Sequence, residues 1–340
     1  MIIRSKAPLR IGLAGGGTDV TPYSDIYGGA ILNATISMYA HASIHPRNDN
    51  KIIINSIDKK TRLEFPSSEF LKIDGKLDLL KGIYNRIVKD FVMKPLSFEL
   101  STFVDAPPGS GLGSSSTLVV AVLGAFAEWL KLPLGEYDIA RLSYEIERID
   151  LKMAGGKQDQ YAATFGGVNF MEFYKNDKVI VNPLRIKNEY LNELAYTLIL
   201  YNTETSRLSS SIIESQTKNV LNNDMNSIEA THRLKEQAIM MKEAILTGNF
   251  DRIGEILDFG WENKKKLASG ISNTDIDEIY NTAIRNGATG GKISGAGGGG
   301  FMIFYCPNNS RSKVIESLKK FGGQPKRFEF TTQGVVSWKI

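Results

Sequence analysis

The chain has 340 residues, 42% hydrophobic and 23% charged, and a net charge of +4. That is the composition of a soluble globular protein, long enough for two domains with a core each. A charge this small, with no basic tail, argues against nucleic acid as a partner, no apolar run approaches the roughly 18 residues of a membrane span, and the single Cys306 excludes an intrachain disulfide or a cysteine metal cluster.

No long apolar stretch stands ahead of a cleavage site near the N-terminus, so a cytoplasmic location is expected. Residues 2–11 read as a strand region interrupted by Pro8, leading into the glycine cluster Gly12-Leu13-Ala14-Gly15-Gly16-Gly17-Thr18-Asp19. Residues 30–44 and 51–56 are rich in β-formers. His41 and His45, four apart on such a strand, share a face but lack the following Glu of a zinc helix, and zinc is not expected there. Leu77, Leu80, Ile83, Ile87 and Phe91 recur at helical spacing and predict a helix over 76–93. Phe98, Leu100 and Phe103 alternate in a strand over 96–104, and residues 117–130 form an apolar helix without proline.

A second amphipathic helix is expected over 135–150, then a glycine-bearing connection over 154–167 that holds Gln158-Asp159-Gln160, then a strand over 168–174. From about 185 the texture changes. A strand is predicted over 191–201, helices near 205–219, 226–247, 250–268 and 275–286, and an apolar strand over 301–306. Thr274 is the expected N-cap of the fourth helix and Gly287 its C′ residue. The run Lys264-Lys265-Lys266 reads as a solvated helix face, and Cys306 as a core residue. A helix over 312–320 and a strand over 327–332 close an α+β second domain.

Between the strand at 96–104 and the helix at 117–130 lies Pro107-Pro108-Gly109-Ser110-Gly111-Leu112-Gly113-Ser114-Ser115-Ser116. Alternating glycines let the backbone approach a ligand and turn N–H groups toward it. The helix N-terminus adds unpaired donors and the positive end of its dipole. Together these make an anion site, most often for phosphate. It is not a Walker loop, since no Lys-Ser/Thr follows Gly113, nor a dinucleotide fingerprint, since residue 114 is serine where the third glycine belongs. A glycine turn before a core helix is the plain alternative. Two further clusters, at 12–17 and 295–300, weigh against it, because three such turns read together as the walls of one phosphate-lined cleft.

Three motifs in order carry a family resemblance: Ala7-Pro8-Leu9-Arg10 running to Thr18-Asp19, Pro108 to Ser116, and Lys292 to Gly300. The chain resembles the GHMP small-molecule kinases over nearly its whole length. The first motif looks most like the members acting on D-glycero-D-manno-heptose 7-phosphate. The resemblance implies a two-domain α+β fold: residues 1–185 as an N-terminal ATP-binding domain like ribosomal protein S5, and 186–340 as a ferredoxin-like C-terminal domain, with the active site in the cleft between. It implies an ATP-dependent kinase that phosphorylates the anomeric hydroxyl of the heptose phosphate and gives the 1,7-bisphosphate, a step toward nucleotide-activated heptose and surface polysaccharide.

The resemblance also distributes roles. Pro108, Gly109, Ser110, Gly111, Leu112, Gly113, Ser114 and Ser115 would hold the ATP phosphates. Ser115 and Glu147 would hold Mg²⁺. Asp159 would orient the attacking hydroxyl or take its proton, and Arg10 would neutralise the transferring phosphoryl and keep Asp159 ionised. Gly16, Gly17, Thr18 and Asp19 would contact the sugar, and Ser294, Gly295 and Gly297 would close the cleft on it. Lys157 and Arg207 would meet a phosphate already on the substrate. Phosphoryl transfer asks for this kind of equipment, since it needs positioning and charge neutralisation more than covalent help. Galactokinases carry Glu-His where Gly16-Gly17 stand here, and the smaller pair makes room for a bulkier sugar. Other sugar kinases of fucokinase or galactokinase type are the alternatives, as is a catalytically silent sugar sensor, though a sensor need not keep both Glu147 and Asp159. The expected partners are a sugar phosphate and ATP.

Overall fold

The structure is a computed structural model that describes residues 1–205 and 209–340. The first half runs β1 (Ile3–Ala14), α1 (Tyr23–Tyr27), β2 (Gly29–Pro46), β3 (Lys51–Ser56), β4 (Thr61–Pro66), α2 (Asp78–Ile87), β5 (Phe98–Val104), α3 (Ser114–Leu130), α4 (Glu136–Glu145), α5 (Gln158–Phe165), β6 (Val168–Phe173) and β7 (Val179–Pro183). The second runs α6 (Asn188–Thr197), β8 (Leu198–Asn202), α7 (Ser209–Leu221), α8 (Met225–Thr247), α9 (Ile253–Lys264), α10 (Thr274–Arg285), β9 (Gly290–Ile293), β10 (Phe301–Tyr305), α11 (Arg311–Leu318), β11 (Gln324–Lys326) and β12 (Val336–Lys339). Among the described residues the strands form two sheets. One has the order β12-β1-β2-β5-β3-β4, with β6 and β7 added along the other stretch of β2; the second has the order β11-β8-β10-β9. Among the described residues only β3 and β5 pair in parallel.

Pro8 does not break β1. The strand passes it with a register shift against β2 between Pro8 and Arg10. Proline is tolerated in a sheet where the ladder is already interrupted, and such a bulge re-aims the side chains beside it. Helix α3 begins straight after Gly113, with the Thr117 hydroxyl donating to the Gly113 carbonyl at 2.9 Å. Residues 116–126 are buried all round, which is why the helix is apolar on every face. It packs on β1 and β2. Helices α2 and α4 each pass into a π-helical turn, at Val88–Val92 and Ile146–Asp150.

Some predicted elements move. The stretch 191–201 is mostly α6, whose Leu194 and Thr197 point inward at helical spacing, and only the last residues form β8. The connection over 154–167 holds α5. The N-cap of α10 is Asn273, whose side chain accepts from the Ile276 N–H at 2.9 Å, not Thr274. In place of a strand over 327–332 there is an isolated bridge from Phe330 to Ile36, with β11 before it and β12 after. β12 pairs with β1, so the end of the chain belongs to the first sheet. The main apolar core is continuous across the two halves. It joins Leu9, Ile11 and Leu32 of the first sheet to Ala238, Met241 and Ile245 of α8, Leu257 of α9 and Ile303 of β10. Cys306 is buried, as expected.

Candidate active site

The bulge in β1 aims Arg10 inward, where it is buried. Its Nε donates to Asp159 Oδ1 at 2.7 Å and its Nη2 lies 2.6 Å from the same oxygen. Its Nη1 donates to the Gly111 carbonyl at 2.6 Å, and its backbone N–H donates to the Leu112 carbonyl at 3.2 Å. One residue thus ties the catalytic acid candidate to the phosphate loop. Asp159 sits in the first turn of α5, where the helix dipole favours a carboxylate. A Cβ on Gly113 would lie 3.1 Å from the Asp159 Cγ, so the loop ends against the acid.

Gly109, Gly111 and Gly113 all have positive φ, at 77°, 76° and 77°, while Ser110 and Leu112 between them do not. Alternation of this kind curls successive N–H groups into an anion-binding concavity. Pro108, Gly109 and Ser115 are exposed, and Ser114 is half-buried. Ser110 and Leu112 are buried and serve the loop's own structure: the Ser110 carbonyl accepts from the Phe301 N–H at 2.9 Å. The third motif packs directly on this loop. The Ser294 hydroxyl donates to the Gly111 carbonyl at 3.0 Å, and a Cβ on Gly111 would fall 2.2 Å from the Ser294 carbonyl oxygen. Gly295 presses on the Gly111 backbone and Gly297 on Ile271. Ser294, Gly295 and Gly297 therefore shape the loop rather than reach into open space.

Glu147 lies on the π-helical turn after α4 and is buried. Its Oε2 accepts from Gln160 Nε2 at 2.5 Å, and the same amide donates to the Ser116 hydroxyl at 3.2 Å. Gln160 so links the carboxylate to the first turn of α3. Glu147 Oε1 is buried without a hydrogen-bond partner, with the Arg148 guanidinium 3.7 Å away. Among the described residues no three His, Cys, Asp or Glu side chains form a metal cluster. Magnesium in nucleotide enzymes takes one or two protein ligands and fills its shell with water and phosphate, so an orphaned carboxylate oxygen on a side chain linked through Gln160 to the first turn of α3 fits it.

The residues expected around the sugar divide. Asp19 is buried; its Oδ2 accepts from the N–H groups of Lys157 and Gln158 at 2.8 and 3.0 Å, which caps α5 beneath Asp159. Burial, and then the neighbouring Asp159 charge, push its carboxyl above the ordinary range against those hydrogen bonds. Its Oδ1 is left without a partner. The Thr18 hydroxyl is spent inside the turn, donating to the Gly15 and Ala30 carbonyls at 2.9 Å each. Gly17 has φ 107° and faces Leu267. Lys157 does not turn its charge to the cleft: its ammonium is buried 2.8 Å from Asp177 and 3.7 Å from Asp25. Burial opposes that charge most, but the bond to Asp177 and the fields of Tyr144, Asp177 and Asp25 together outweigh it and raise the pKa above the ordinary lysine value. Arg207 lies outside the described residues.

Two cations absent from the expected site are present. Lys264, at the end of α9, is 2% exposed, and Lys292, on β9, is 4% exposed. Lys264 is thus not part of a solvated face, although Lys266 beside it is exposed. Its Nζ donates to the Gly16 carbonyl at 3.2 Å. Burial lowers its pKa to about 8, offset in part by Asp19 and deepened by Arg10. Burial, Lys264 and Arg10 lower that of Lys292 further. A lysine run and a glycine cluster give no sign in sequence that one lysine of the run turns inward.

Comparison with known proteins adds the following. Residues 78–167 match the family model described as GHMP kinases N terminal domain, and 241–324 the model described as GHMP kinases C terminal. A Campylobacter jejuni protein named D-glycero-alpha-D-manno-heptose 7-phosphate kinase is 54% identical over 99% of this chain and 99% of its own. The crystal structure of a D-glycero-D-manno-heptose 1-phosphate kinase from Bacteroides thetaiotaomicron superposes with a TM-score of 0.86 at 46% identity, covering 99% of both chains. A galactokinase from Lactococcus lactis, complexed with galactose, has a TM-score of 0.77 at 21% identity over 100% of this chain and 95% of its own, a likeness of fold.

Proposed function

Since this chain belongs to the GHMP kinase family and is a phosphotransferase, we propose that it transfers the γ-phosphoryl of ATP to the anomeric hydroxyl of D-glycero-D-manno-heptose 7-phosphate, giving the 1,7-bisphosphate in the cytoplasm. The observation that carries this reading is the 54% identity, end to end, with a relative named for that substrate. The Arg10–Asp159 pair against the glycine loop supports the chemistry. In this reading Asp159 accepts a hydrogen bond from the anomeric hydroxyl and its proton as the new bond forms. Arg10 holds Asp159 in place and balances charge on the phosphoryl. The N–H groups of 109–115 position the β- and γ-phosphates. Ser115 and Glu147 hold Mg²⁺, which when bound neutralises charge on the phosphates. Asp19 acts one step back, by capping the helix that carries Asp159.

A second reading, attack by another hydroxyl of a heptose 1-phosphate, draws on the name of the Bacteroides protein. The two are told apart by incubating the enzyme with ATP and each heptose phosphate and following products by ³¹P NMR. The first reading requires a new anomeric phosphate split by its own H1 from the 7-phosphate; turnover of the 1-phosphate alone overturns it.

A further inference from the structure

We infer that Lys264 and Lys292, facing each other across Gly16, hold the phosphate that the sugar substrate already carries; this rests on the phosphorylated-sugar reading above. Three observations lead there. First, both ammonium groups are buried, and among the described residues no carboxylate lies within 4.0 Å of either. The other buried lysines of the fold, Lys81 and Lys157, each have a carboxylate partner, at 2.5 Å from Asp74 and 2.8 Å from Asp177. Two buried lysines with no carboxylate in contact, and only Asp19 acting on Lys264 at longer range, have lost their water and disfavour each other's charge. They become a favourable arrangement when a dianion arrives between them.

Second, the two lysines converge on one point of the first motif. A Cβ on Gly16 would lie 3.7 Å from Lys264 Nζ and 3.9 Å from Lys292 Nζ. Unlike Gly15 and Gly17, Gly16 does not have positive φ, so the backbone does not require glycine here. What the glycine does is leave both ammonium groups without a side chain between them.

Third, the position suits the far end of the substrate. Lys292 is on β9 and Ser294 is in the bend just past its end, two residues further on. Ser294 meets Gly111 and, at 3.4 Å, Arg10, at the reacting end. Lys292 reaches instead to Gly12 and Gly16 on the first motif, the side that also carries Asp19. The two lysines take the role the sequence assigned to Lys157, whose ammonium is held by Asp177 and Asp25; Arg207 lies outside the described residues.

The test uses the full chain with Lys264→Met, Lys292→Met and the double variant. For each, kcat/KM is measured on D-glycero-D-manno-heptose 7-phosphate and on the unphosphorylated heptose, and KM for ATP is measured alongside. The ratio between the two sugars should fall about 10- to 150-fold per lysine, the value of a charge-assisted contact. Thermal unfolding gives a readout that needs no turnover. Without ligand the variants should be at least as stable as wild type, since a buried unpaired charge has gone. Inorganic phosphate should raise the wild-type Tm by more than that of the double variant, in which only the glycine loop remains to take it; equal shifts overturn the lysine assignment. If wild type uses heptose 7-phosphate but the sugar ratio survives in both variants, or if KM for ATP rises instead, the lysine assignment is overturned and the substrate reading stands. A wild type that prefers the unphosphorylated heptose overturns both.

Discussion

Gly111 is where the nucleotide loop and the third motif touch, and its replacement can be worked out in advance. Gly111→Ala forces a side chain into φ 76°, which costs about 1–2 kcal/mol for an L-residue. The new Cβ would also stand 2.2 Å from the Ser294 carbonyl oxygen and 2.9 Å from its carbon. Ser294 must retreat by roughly 1 Å to reach ordinary contact. The retreat breaks the 3.0 Å bond from Ser294 to the Gly111 carbonyl and loosens the 2.6 Å bond from Arg10 to the same oxygen. Losing one neutral bond and weakening one charged bond adds about 2–4 kcal/mol. Gly322 supplies the control: its φ is 77° and a Cβ there meets nothing within 4 Å. Gly322→Ala incurs the backbone strain alone. The two variants should therefore differ by roughly 3–6 °C in Tm, and Gly111→Ala alone should lose kcat, because Arg10 no longer ties Asp159 to the loop. The measurement is thermal unfolding of both variants beside steady-state kinetics. Equal Tm values would refute the claim that the two motifs are pressed together at this residue. A side chain at Gly111 thus meets a protein carbonyl before it meets any ligand.

Asp159→Asn should keep the fold at some cost in Tm, because buried Arg10 loses its charged partner, and lower kcat by about 10²- to 10⁴-fold; near-normal turnover removes Asp159 from the chemistry. Ser115→Ala and Glu147→Gln should each raise the Mg²⁺ concentration needed for half-maximal rate, and an unchanged magnesium dependence shows that the metal lies elsewhere. Lys264 gives a pH signature. With its folded pKa lowered to about 8, the unfolded chain binds the proton more tightly than the folded one. The resulting instability is fully present below pH 8 and is relieved as pH rises toward the ordinary lysine value of about 10.4. Against Lys264→Met, wild type should gain relative stability over that window, while its kcat/KM on the phosphorylated sugar declines above about pH 8. Parallel stability profiles for the two proteins would sink this account.

Much of the fold could be read from local pattern. The apolar helix after the glycine loop, the strands at 30–44, 51–56 and 301–306, and the helices of the second half are set by periodicity and stand close to where they were expected. The losses fall where tertiary contacts decide. Helix α5 has a glycine-bearing approach, and its N-terminus is capped from 138 residues away by Asp19, a partner no window of sequence contains. Stretch 191–201 alternates only at its end, so a helix was taken for strand. In the site, the geometry brings Arg10, Asp159, Gly111 and Ser294 together and links Glu147 to the start of α3 through Gln160. Lysine is usually a surface residue, and nothing local to 264 or 292 announces burial. Their neighbours, Gly12 and Gly16, come from the opposite end of the chain. Lys157 failed in the other direction, since its partners Asp25 and Asp177 lie far off in sequence and hold its charge away from the cleft.

The return of β12 to the first sheet has a consequence for how the molecule is made. Ile3 pairs with Lys339 and Lys6 with Val336, so the strand that carries Arg10 becomes an inner strand only after more than three hundred further residues exist. Gly124 leaves room for that arrival, since a Cβ there would stand 2.8 Å from Val335 and 2.9 Å from Ser337. During synthesis the N-terminal half emerges with one long sheet edge bare, a surface that invites pairing with other nascent chains. Closure between residues this remote is slow, because the loop entropy is lost before the contacts form. A ribosome-bound chain therefore holds an unfinished sheet until β12 is released, and its exposed edge is open to wrong pairing for the whole of that interval.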